Sequence, residues 1–457
     1  MRPDTIQELV RGDVITPEAP DYDAARAVFN GMIDRRPSAV VRAVDAADVM
    51  AVVSFAADEG LPLAVRGGGH SVPGYGVCDD GLVLDLSAIR NVRVDPQERT
   101  VRVGGGAVLA DQDHATHAYG LATPAGFFST TGVAGLTLGG GISAYLGREH
   151  GMTCDNLLSA DVVTARGERV TARADQHPDL FWALRGGGGN FGVVTALEFR
   201  LHPVSTLVAG PMLFAPEGTA DVISFYDRYM QEAPRPLGGF LAIDRAPPLP
   251  FIPEDRHGEP VCIVVASWNG DPSHADRILN PIRSSGPLVA EHVEEIPYPA
   301  LQTAFDDLLP SGTRQYWKSD WVDEISPEDA VVYADHGTKV PNALSTTHLY
   351  PVNGAVHDVA EDATAFAVRD ARFSAVIVGG WEDPADDEEH VAWVRDYYEA
   401  IHARSGHAGG YTNFAAADDE ARVRDNFGPA YTRLAEIKAR WDPDNLFRRN
   451  QNVKPAE

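Results

Sequence analysis

The stretch PLAVRGGGHSVPGYG, residues 62–76, decides how this sequence is interpreted. An apolar run leads into three consecutive glycines that end on His70, and two more glycines flank Tyr75. Glycine lets successive backbone N–H groups converge on one point and lets a ligand approach without a Cβ in the way. A strand followed by a ligand-binding loop with a histidine at its tip is therefore expected. Taken alone, the triplet is equally compatible with an ordinary turn.

Two further glycine clusters, at 139–141 and 186–189, favour ligand binding over turns. A dinucleotide pyrophosphate is the anion that suits such loops, with Arg66 as the nearby positive charge. The usual nicotinamide-dinucleotide fingerprint places a helix directly after its glycine loop. Here proline and more loop follow His70, which argues against an NAD-dependent enzyme of that fold.

The totals exclude several classes of protein. A chain of 457 residues predicts two or three lobes, and its formal net charge of −28 disfavours binding to nucleic acid or to an anionic membrane. No window reaches the roughly 18 apolar residues of a membrane span, so we expect a cytoplasmic protein. The charge would also suit a halophilic source, which the sequence does not decide. The cysteines are far apart and predict neither a zinc site nor a disulfide framework: Cys78, Cys154 and Cys262.

The pattern along the chain predicts an α+β protein with three segments. The first segment, residues 1–205, alternates short β-branched runs with helical stretches from about residue 38 and carries all three glycine clusters. Residues 160–173 are typical of a hairpin. Residues 206–404 predict a second lobe with an antiparallel sheet covered by helices on one face. Its strand candidates are PVCIVVASW, RQYWKSDWV, TTHLYPV and FSAVIVGGW. Residues 405–457 are expected to rejoin the first lobe.

Four motifs together resemble the berberine-bridge-enzyme-like FAD oxidases, which have the vanillyl-alcohol-oxidase or PCMH-type flavoprotein fold. They are LPLAVRGGGHSVPGYGV, GVAGLTLGGG with HGMTCDNLLSADVVTARGE, DLFWALRGGGGNFGVVT, and WDPDNLFRRNQNV. The likeness runs from about residue 35 to residue 457. Within the family, the bacterial branch with 6-hydroxy-D-nicotine oxidase, sugar oxidases and antibiotic-tailoring oxidases is the most similar in length and motif order.

The resemblance implies an FAD-binding lobe made of two α/β subdomains and a covalent flavin on His70. A neutral imidazole is a competent nucleophile near neutral pH. From the residues alone, a loop histidine bonded to backbone is the competing interpretation. The other residues implied to surround the cofactor are Arg66, Gly67, Gly68, Gly69, Ser71, Thr130, Thr131, Gly132, Gly135, Gly140, Gly141, Asp155, Asn156, Gly192, Val193, Val194, Asn413, Asn450 and Asn452.

One departure from the family changes the expected attachment. Many members add a cysteinyl link to the flavin, but the matching segment here reads GFFSTTGVAG, with Phe128 at the cysteine position. We therefore expect a single covalent link. Cys154 lies downstream, where the family attaches no flavin, and is interpreted as a small buried residue.

The family's YxN motif falls on Tyr411 and Asn413. It implies that hydride passes from a substrate CH–OH group to flavin N5 while Tyr411 takes the proton, and that O2 then accepts the electrons and forms H2O2. Lys318 is a candidate to assist the phenol, and Tyr145 a candidate to approach the ring. The alternatives are oxidation of a cyclic amine, a dehydrogenase with another electron acceptor, or a non-catalytic flavin carrier. We expect a small-molecule substrate and no metal; oligomeric state stays open.

Overall fold

The computed structural model describes residues 3–416 and 422–457, and its first sheet contains the strand that leads into the opening glycine loop. The strands run in the order β1-β2-β4-β3, with β2, β4 and β3 parallel and β1 antiparallel to β2. β3 ends at Arg66, and no helix lies between it and β4 in this described part of the chain. The four strands are β1 (Asp13–Ile15), β2 (Ala39–Arg42), β3 (Leu63–Arg66) and β4 (Leu82–Asp85).

The second sheet is antiparallel and follows directly along the chain, in the order β5-β6-β10-β8-β9. β8 and β9 form the predicted hairpin, with Gly167 at a φ of 71° in its turn. A short ribbon pairs β7 with β11. The strands are β5 (Val92–Asp95), β6 (Thr100–Gly104), β7 (Leu121–Ala122), β8 (Leu157–Val163), β9 (Arg169–Arg173), β10 (Val193–Arg200) and β11 (His202–Pro203).

The third sheet has eight strands and runs in the order β15-β12-β14-β13-β18-β19-β17, with β16 also paired to β12. All of its pairs are antiparallel, as predicted for this part of the sequence. The strands are β12 (Thr206–Phe214), β13 (Leu237–Arg245), β14 (Pro260–Trp268), β15 (Leu288–Glu291), β16 (Glu294–Pro297), β17 (Arg314–Val322), β18 (Thr346–Pro351) and β19 (Phe373–Trp381).

Helices cover the sheets and connect their strands. They are α1 (Pro3–Gln7), α2 (Tyr22–Arg26), α3 (Ala46–Asp58), α4 (Leu109–His117), α5 (Val133–Leu138), α6 (Gly147–His150), α7 (Pro178–Leu184), α8 (Thr219–Glu232), α9 (Ala275–Arg283), α10 (Tyr298–Thr303), α11 (Pro327–Gly337), α12 (Asp387–Ser405), α13 (Val423–Phe427) and α14 (Tyr431–Trp441). None of the helices in the described chain has both the length and the apolar character needed to cross a membrane.

The two faces of the third sheet bury different partners because side chains alternate along a strand. One face, including Leu241, Ile243 and Ile377, packs on α8, α9, α11 and α12. The opposite face, including Phe240 and Val376, packs toward the loops around the second glycine cluster. The predicted sheet with one helix-covered face is therefore confirmed, and its other face is left for the site.

The C-terminal helices pack back onto the early part of the chain. Phe427 and Leu434 share a buried cluster with Leu180 of α7 and with Val103 and Leu197 of the second sheet. The segment after residue 422 thus reaches the region of the glycine clusters. The boundaries between the three segments, placed after residues 205 and 404, remain predictions.

Candidate active site

A cavity of about 370 Å³ lies between the glycine loops and the uncovered face of the third sheet. One half is lined by backbone-rich loops, among them residues 67–71, 131–132, 134–136 and 188–189. The other half is lined by side chains of β13, β14, β17, β18 and β19. We call them the glycine half and the sheet half.

The loops of the glycine half approach one another more closely than side chains would allow. A Cβ on Gly68 would lie 2.4 Å from the nitrogen of Gly132, and one on Gly139 would lie 2.0 Å from Oδ1 of Asn413. Gly69 and Gly192 have φ values of 73° and 152°, which other residues rarely adopt. These positions require glycine, and they leave exposed backbone facing the cavity.

His70 lines the cavity from the first loop. Its Nε2 lies 2.8 Å from Oγ1 of Thr130, and its ring stacks on Phe29 with the centroids 4.1 Å apart. Burial lowers the pKa of His70 to about 4, so the imidazole is neutral at physiological pH. The loop therefore presents a fixed, uncharged imidazole to the cavity.

Arg66 lines the cavity, but its charge is already used. Its guanidinium bonds Asp85 at 2.8 Å and the carbonyls of Ala25 and Ala27. A second arginine, Arg449, also lines the glycine half, and its buried Nε has no partner in the described structure. Arg449 is thus better placed to meet an anion than Arg66, and sequence reasoning missed it.

The C-terminal segment supplies polar side chains that also lack partners. Asn450 and Gln451 line the cavity, and their buried side-chain oxygens accept no hydrogen bond from any described residue. Gln451 donates to the hydroxyl of Tyr75, which also lines the cavity. Asn452 has an unpartnered oxygen as well, but it does not line the cavity.

A buried lysine fixes this segment against the third glycine cluster. Lys438 donates to the carbonyls of Asn190 and Phe447 and pairs with Asp442. The side chain of Asn190 in turn bonds the backbone of Gln451 at 3.0 Å and of Val453 at 3.0 Å. One polar network therefore holds both walls of the glycine half together.

Tyr411 and Asn413 line the cavity where its two halves meet. The N–H groups of Gly141 and Ile142 donate to the Tyr411 hydroxyl oxygen at 2.8 Å and 3.2 Å, and Nδ2 of Asn413 donates to it at 2.9 Å. Burial raises the pKa of Tyr411 despite these donors. Three donors on one phenol oxygen hold the 139–142 loop in place.

The sheet half presents a second phenol. Tyr350 and His348 on β18 both line the cavity, and the Tyr350 hydroxyl lies 2.5 Å from Nδ1 of His348. Burial lowers the pKa of His348 to about 3 and raises that of Tyr350. The imidazole is therefore neutral, and in its Nε2–H tautomer Nδ1 accepts a hydrogen bond from the Tyr350 hydroxyl. The sequence showed only that the two side chains share a strand face.

Two more polar groups lie in the sheet half. Trp317 is 8% exposed, lines the cavity, and has an indole N–H without a partner in the described structure. Asp244 also lines the cavity, and burial raises its pKa to about 8. An indole N–H only donates, so it requires an acceptor.

Most of the predicted site residues line the cavity. Of the predicted set, these are Arg66, Gly67, Gly68, Gly69, His70, Ser71, Thr131, Gly132, Gly135, Gly192, Val194, Tyr411, Asn413 and Asn450. Three more lie next to lining residues: Thr130 contacts His70, Gly140 follows Gly139, and Gly141 precedes Ile142. Gly105 lines the cavity too, although its cluster at 104–106 was not among the predicted binding loops.

Two of the predicted catalytic residues do not line the cavity. Lys318 points to the helix-covered face of β17, with its ammonium 5.7 Å from the ring centre of Tyr398 on α12. Tyr145 is buried in the core beside the cavity without lining it. Strand alternation placed Lys318 and Trp317 on opposite faces, but it did not show which face fronts the site.

Asp155, Asn156 and Val193 are also outside the lining. Asp155 makes a two-point ion pair with Arg369, at 2.8 Å for both contacts. Asn156 bonds the carbonyls of residues 150 and 152. These polar groups have internal partners, so they stabilise the loops rather than face a ligand.

The residues present fit FAD on grounds of geometry and chemistry. Glycine loops give a flat, backbone-lined surface, and Arg449, Asn450 and Gln451 bring unpartnered polar atoms for phosphate and hydroxyl groups. Phe128, at the position of the cysteine in other members, also lines the cavity. Cys154 is buried away from the lining, and burial raises the pKa of its thiol.

Comparisons with known proteins agree with this assignment. Family models described as FAD binding domain and as berberine and berberine like match residues 37–173 and 410–454. The chain is 30% identical to an FAD-linked oxidoreductase of Dictyostelium discoideum over 92% of this chain and 89% of that protein.

Solved structures extend the similarity to the whole fold. The crystal structure of 6-hydroxy-D-nicotine oxidase from Arthrobacter nicotinovorans superposes with a TM-score of 0.86, at 26% identity and 98% coverage of both chains. Glucooligosaccharide oxidase from Acremonium strictum, with a 6-S-cysteinyl, 8α-N1-histidyl FAD, has a TM-score of 0.87 at 22% identity, covering 99% of this chain and 99% of that one. The second match supports the fold alone.

Proposed function

Because the chain belongs to the berberine-like family of FAD-linked oxidoreductases, we propose that it oxidises a CH–OH group of a small organic substrate and passes the electrons to O2, forming H2O2. The carrying observation is that His70, on a glycine loop, faces the same cavity as the phenols Tyr411 and Tyr350. A cofactor in the glycine half would therefore lie between its attachment point and the substrate.

His70 is the proposed attachment point for the flavin. A donated hydrogen bond from Nε2 to Thr130 would leave the Nδ1 lone pair available to bond the 8α-methyl carbon in place of one of its hydrogens. That hydrogen would leave as a proton, the two electrons would reduce the flavin, and O2 would reoxidise it. The neutral state of the ring favours this reaction, because a protonated imidazole has no free lone pair. Phe128 carries no thiol, so the histidyl link would be the single covalent one.

FAD, when bound, would supply the two-electron acceptor for the hydride of the substrate carbon. The protein must then accept the hydroxyl proton, and the two phenols of the cavity differ in this respect. The oxygen of Tyr411 is surrounded by three N–H donors, and no described residue accepts its proton. Tyr350 has such an acceptor in Nδ1 of His348.

We therefore assign proton transfer to Tyr350, which would receive the substrate proton on its oxygen while its own proton passes to Nδ1 of His348 and the Nε2 proton is released into the cavity, so that the buried imidazole stays uncharged. Tyr411, the base that the resemblance implied, would position the 139–142 loop and Asn413 beside the reacting atoms. The CH–OH donor remains favoured over a CH–NH donor, since an alcohol requires a proton acceptor of this kind.

Three other functions are distinguished by simple measurements. A dehydrogenase would reduce its flavin with substrate but form little peroxide in air, and an amine oxidase would act on cyclic amines instead of alcohols. A flavin carrier would do neither. Thr131 lies at the position thought to control oxygen access in relatives, and it does not distinguish an oxidase from a dehydrogenase.

The test combines the attachment and the activity. The purified holoprotein is denatured in acid, and the yellow colour is expected to stay with the precipitate. His70→Ala should release the flavin into the supernatant or lack it, whereas His114→Ala, a control outside the cavity lining, should retain it. A peroxide assay over alcohols, sugars and cyclic amines then tests the reaction. Flavin freed from the unmodified protein would refute attachment at His70, and no peroxide with any alcohol would refute the activity.

A further inference from the structure

The walls of the sheet half restrict the substrate beyond the reacting group. Aromatic side chains dominate this part of the cavity and its boundary with the glycine half, among them Phe127, Phe240, Phe305, Trp317, Tyr350 and Phe414. They lie close to one another, with the ring centres of Phe240 and Tyr350 5.4 Å apart and those of Trp317 and Phe414 5.9 Å apart. Such walls bind flat apolar groups by stacking and edge contacts.

Charge is nearly absent from these walls. Among the described lining residues, the arginines Arg66 and Arg449 both lie in the glycine half, and the one carboxyl of the sheet half belongs to Asp244. Burial favours the protonated form of that carboxyl by raising its pKa to about 8. A charged substrate would lose its hydration here: an anion would meet no positive charge in the sheet half, and a cation would meet a carboxyl whose ionisation burial opposes.

The length of the cavity follows from strand register. Tyr350, His348 and Thr346 alternate along β18 and all line the cavity. Four residues of strand span about 13 Å. Thr346 pairs with Val378, which pairs with Trp317, so the tryptophan lies in the same row as Thr346. The cavity thus extends from the phenol of Tyr350 well beyond the size of one ring.

The indole N–H of Trp317 marks a second binding point. It is buried, unpartnered in the described structure and on a residue that lines the cavity. A buried donor left without an acceptor costs free energy, and a bound oxygen atom would remove that cost. The same strand face carries Trp321, whose N–H is also unpartnered but which does not line the cavity.

We propose that the substrate is an uncharged, elongated aromatic alcohol of at least two rings, whose CH–OH group meets Tyr350 and whose distant ether or carbonyl oxygen accepts from Trp317. The inference rests on the proposed alcohol oxidation for the reacting group, while the aromatic and uncharged character follows from the cavity walls. Oligosaccharides and ionised substrates are thereby disfavoured.

The test measures binding separately from turnover. Naphthalene-2-methanols with methoxy, ethyl, carboxylate or aminomethyl at position 6, and cellobiose, are titrated anaerobically into the holoprotein. Flavin absorbance reports both binding, as a spectral shift, and reduction, as bleaching. The methoxy compound should bind at least tenfold more tightly than either ionised compound or cellobiose, and about fivefold more tightly than the ethyl compound, which lacks the acceptor.

Trp317→Phe should weaken binding of the methoxy compound about fivefold and leave binding of the ethyl compound unchanged. Trp321→Phe should change the affinity for either compound by no more than twofold. Stronger binding of cellobiose or of an ionised compound would overturn the substrate class, and equal binding of the methoxy and ethyl compounds by the unmodified protein would overturn the role of Trp317. The second comparison needs no variant to fold. If the methoxy compound shifts the flavin spectrum without bleaching it, the inferred ligand class is supported and the proposed oxidation is refuted.

Discussion

Asp113 on α4 should make stability fall with rising pH, and Asp113→Asn should remove that dependence. The side chain is 1% exposed and accepts one hydrogen bond, from Nε2 of Gln302 on α10 at 3.2 Å, while its other oxygen has no partner. The buried phenol of Tyr298 is nearby and carries no positive charge. The ionised form is therefore poorly compensated.

The size of this pH effect follows from the difference between the pKa of Asp113 in the folded protein and its pKa in the unfolded chain. Burial raises the pKa of Asp113 from 3.8 to about 7 in the folded protein, and each pKa unit corresponds to about 1.4 kcal/mol. The stabilisation from the neutral carboxyl is fully present below about pH 4 and is lost as the pH rises through 7. By pH 8.5 the ionised carboxyl should cost about 4 kcal/mol relative to acid conditions.

Urea unfolding of the holoprotein from pH 4 to 8.5, followed by tryptophan fluorescence, measures this cost. Asp113→Asn should match the unmodified protein at pH 4 and exceed its stability by about 4 kcal/mol at pH 8.5. The difference between the two curves is used because other groups titrate in both proteins. Asp58→Asn, on the exposed end of α3, is the matched control and should stay within about 0.5 kcal/mol at each pH. A constant difference between Asp113→Asn and the unmodified protein at all pH values would refute the reasoning.

Three further predictions concern the site. Tyr350→Phe should lower kcat about 10²-fold or more with little change in KM, whereas Tyr411→Phe should lower kcat less. Stopped-flow flavin reduction measures the effect of each variant. A larger loss in Tyr411→Phe than in Tyr350→Phe would return proton transfer to Tyr411. Gly139→Ala should reduce the flavin bound per chain because its Cβ would meet Asn413 at 2.0 Å, whereas Gly147→Ala, whose Cβ has only an ordinary contact at 3.6 Å, should bind normally. Lys438→Met should destabilise the protein by about 3–5 kcal/mol because it leaves Asp442 buried without its cation. The double variant Lys438→Met, Asp442→Asn should recover part of this loss of stability in urea unfolding. An equal loss of stability in the single and the double variant would contradict this explanation.

Regular patterns made much of the fold predictable. The segments PVCIVVASW, RQYWKSDWV and FSAVIVGGW coincide with β14, β17 and β19, because long apolar or alternating runs have few other ways to be buried. The strands β12 and β13 were not among the predicted strands. Both contain internal glycines, Gly210 and Gly239, with φ values of 152° and 120°, which interrupt the expected pattern.

The site was predictable where its chemistry depends on the backbone. Each glycine cluster is a short run of neighbouring residues and His70 directly follows the first one, so these loops are recognisable from the sequence alone. Other site residues stand out because each has a buried polar atom without a hydrogen-bond partner in the described structure: Arg449, Gln451 and Trp317. A local sequence pattern cannot show that such a partner is missing. Lys318 illustrates the same limit, since its strand was predicted correctly but the face toward the cavity depends on how the helices pack.

The network around Lys438 also bears on when the cofactor can be acquired. The glycine half receives one wall from residues near 68 and another from residues 449–451, which Asn190 and Lys438 fasten in place. A nascent chain still short of Val453 has the histidine but lacks the opposite wall. Flavin loading should accordingly be a late event in biogenesis, following translation of nearly the whole protein, and labelled flavin should associate with released chains and not with arrested ribosomal complexes.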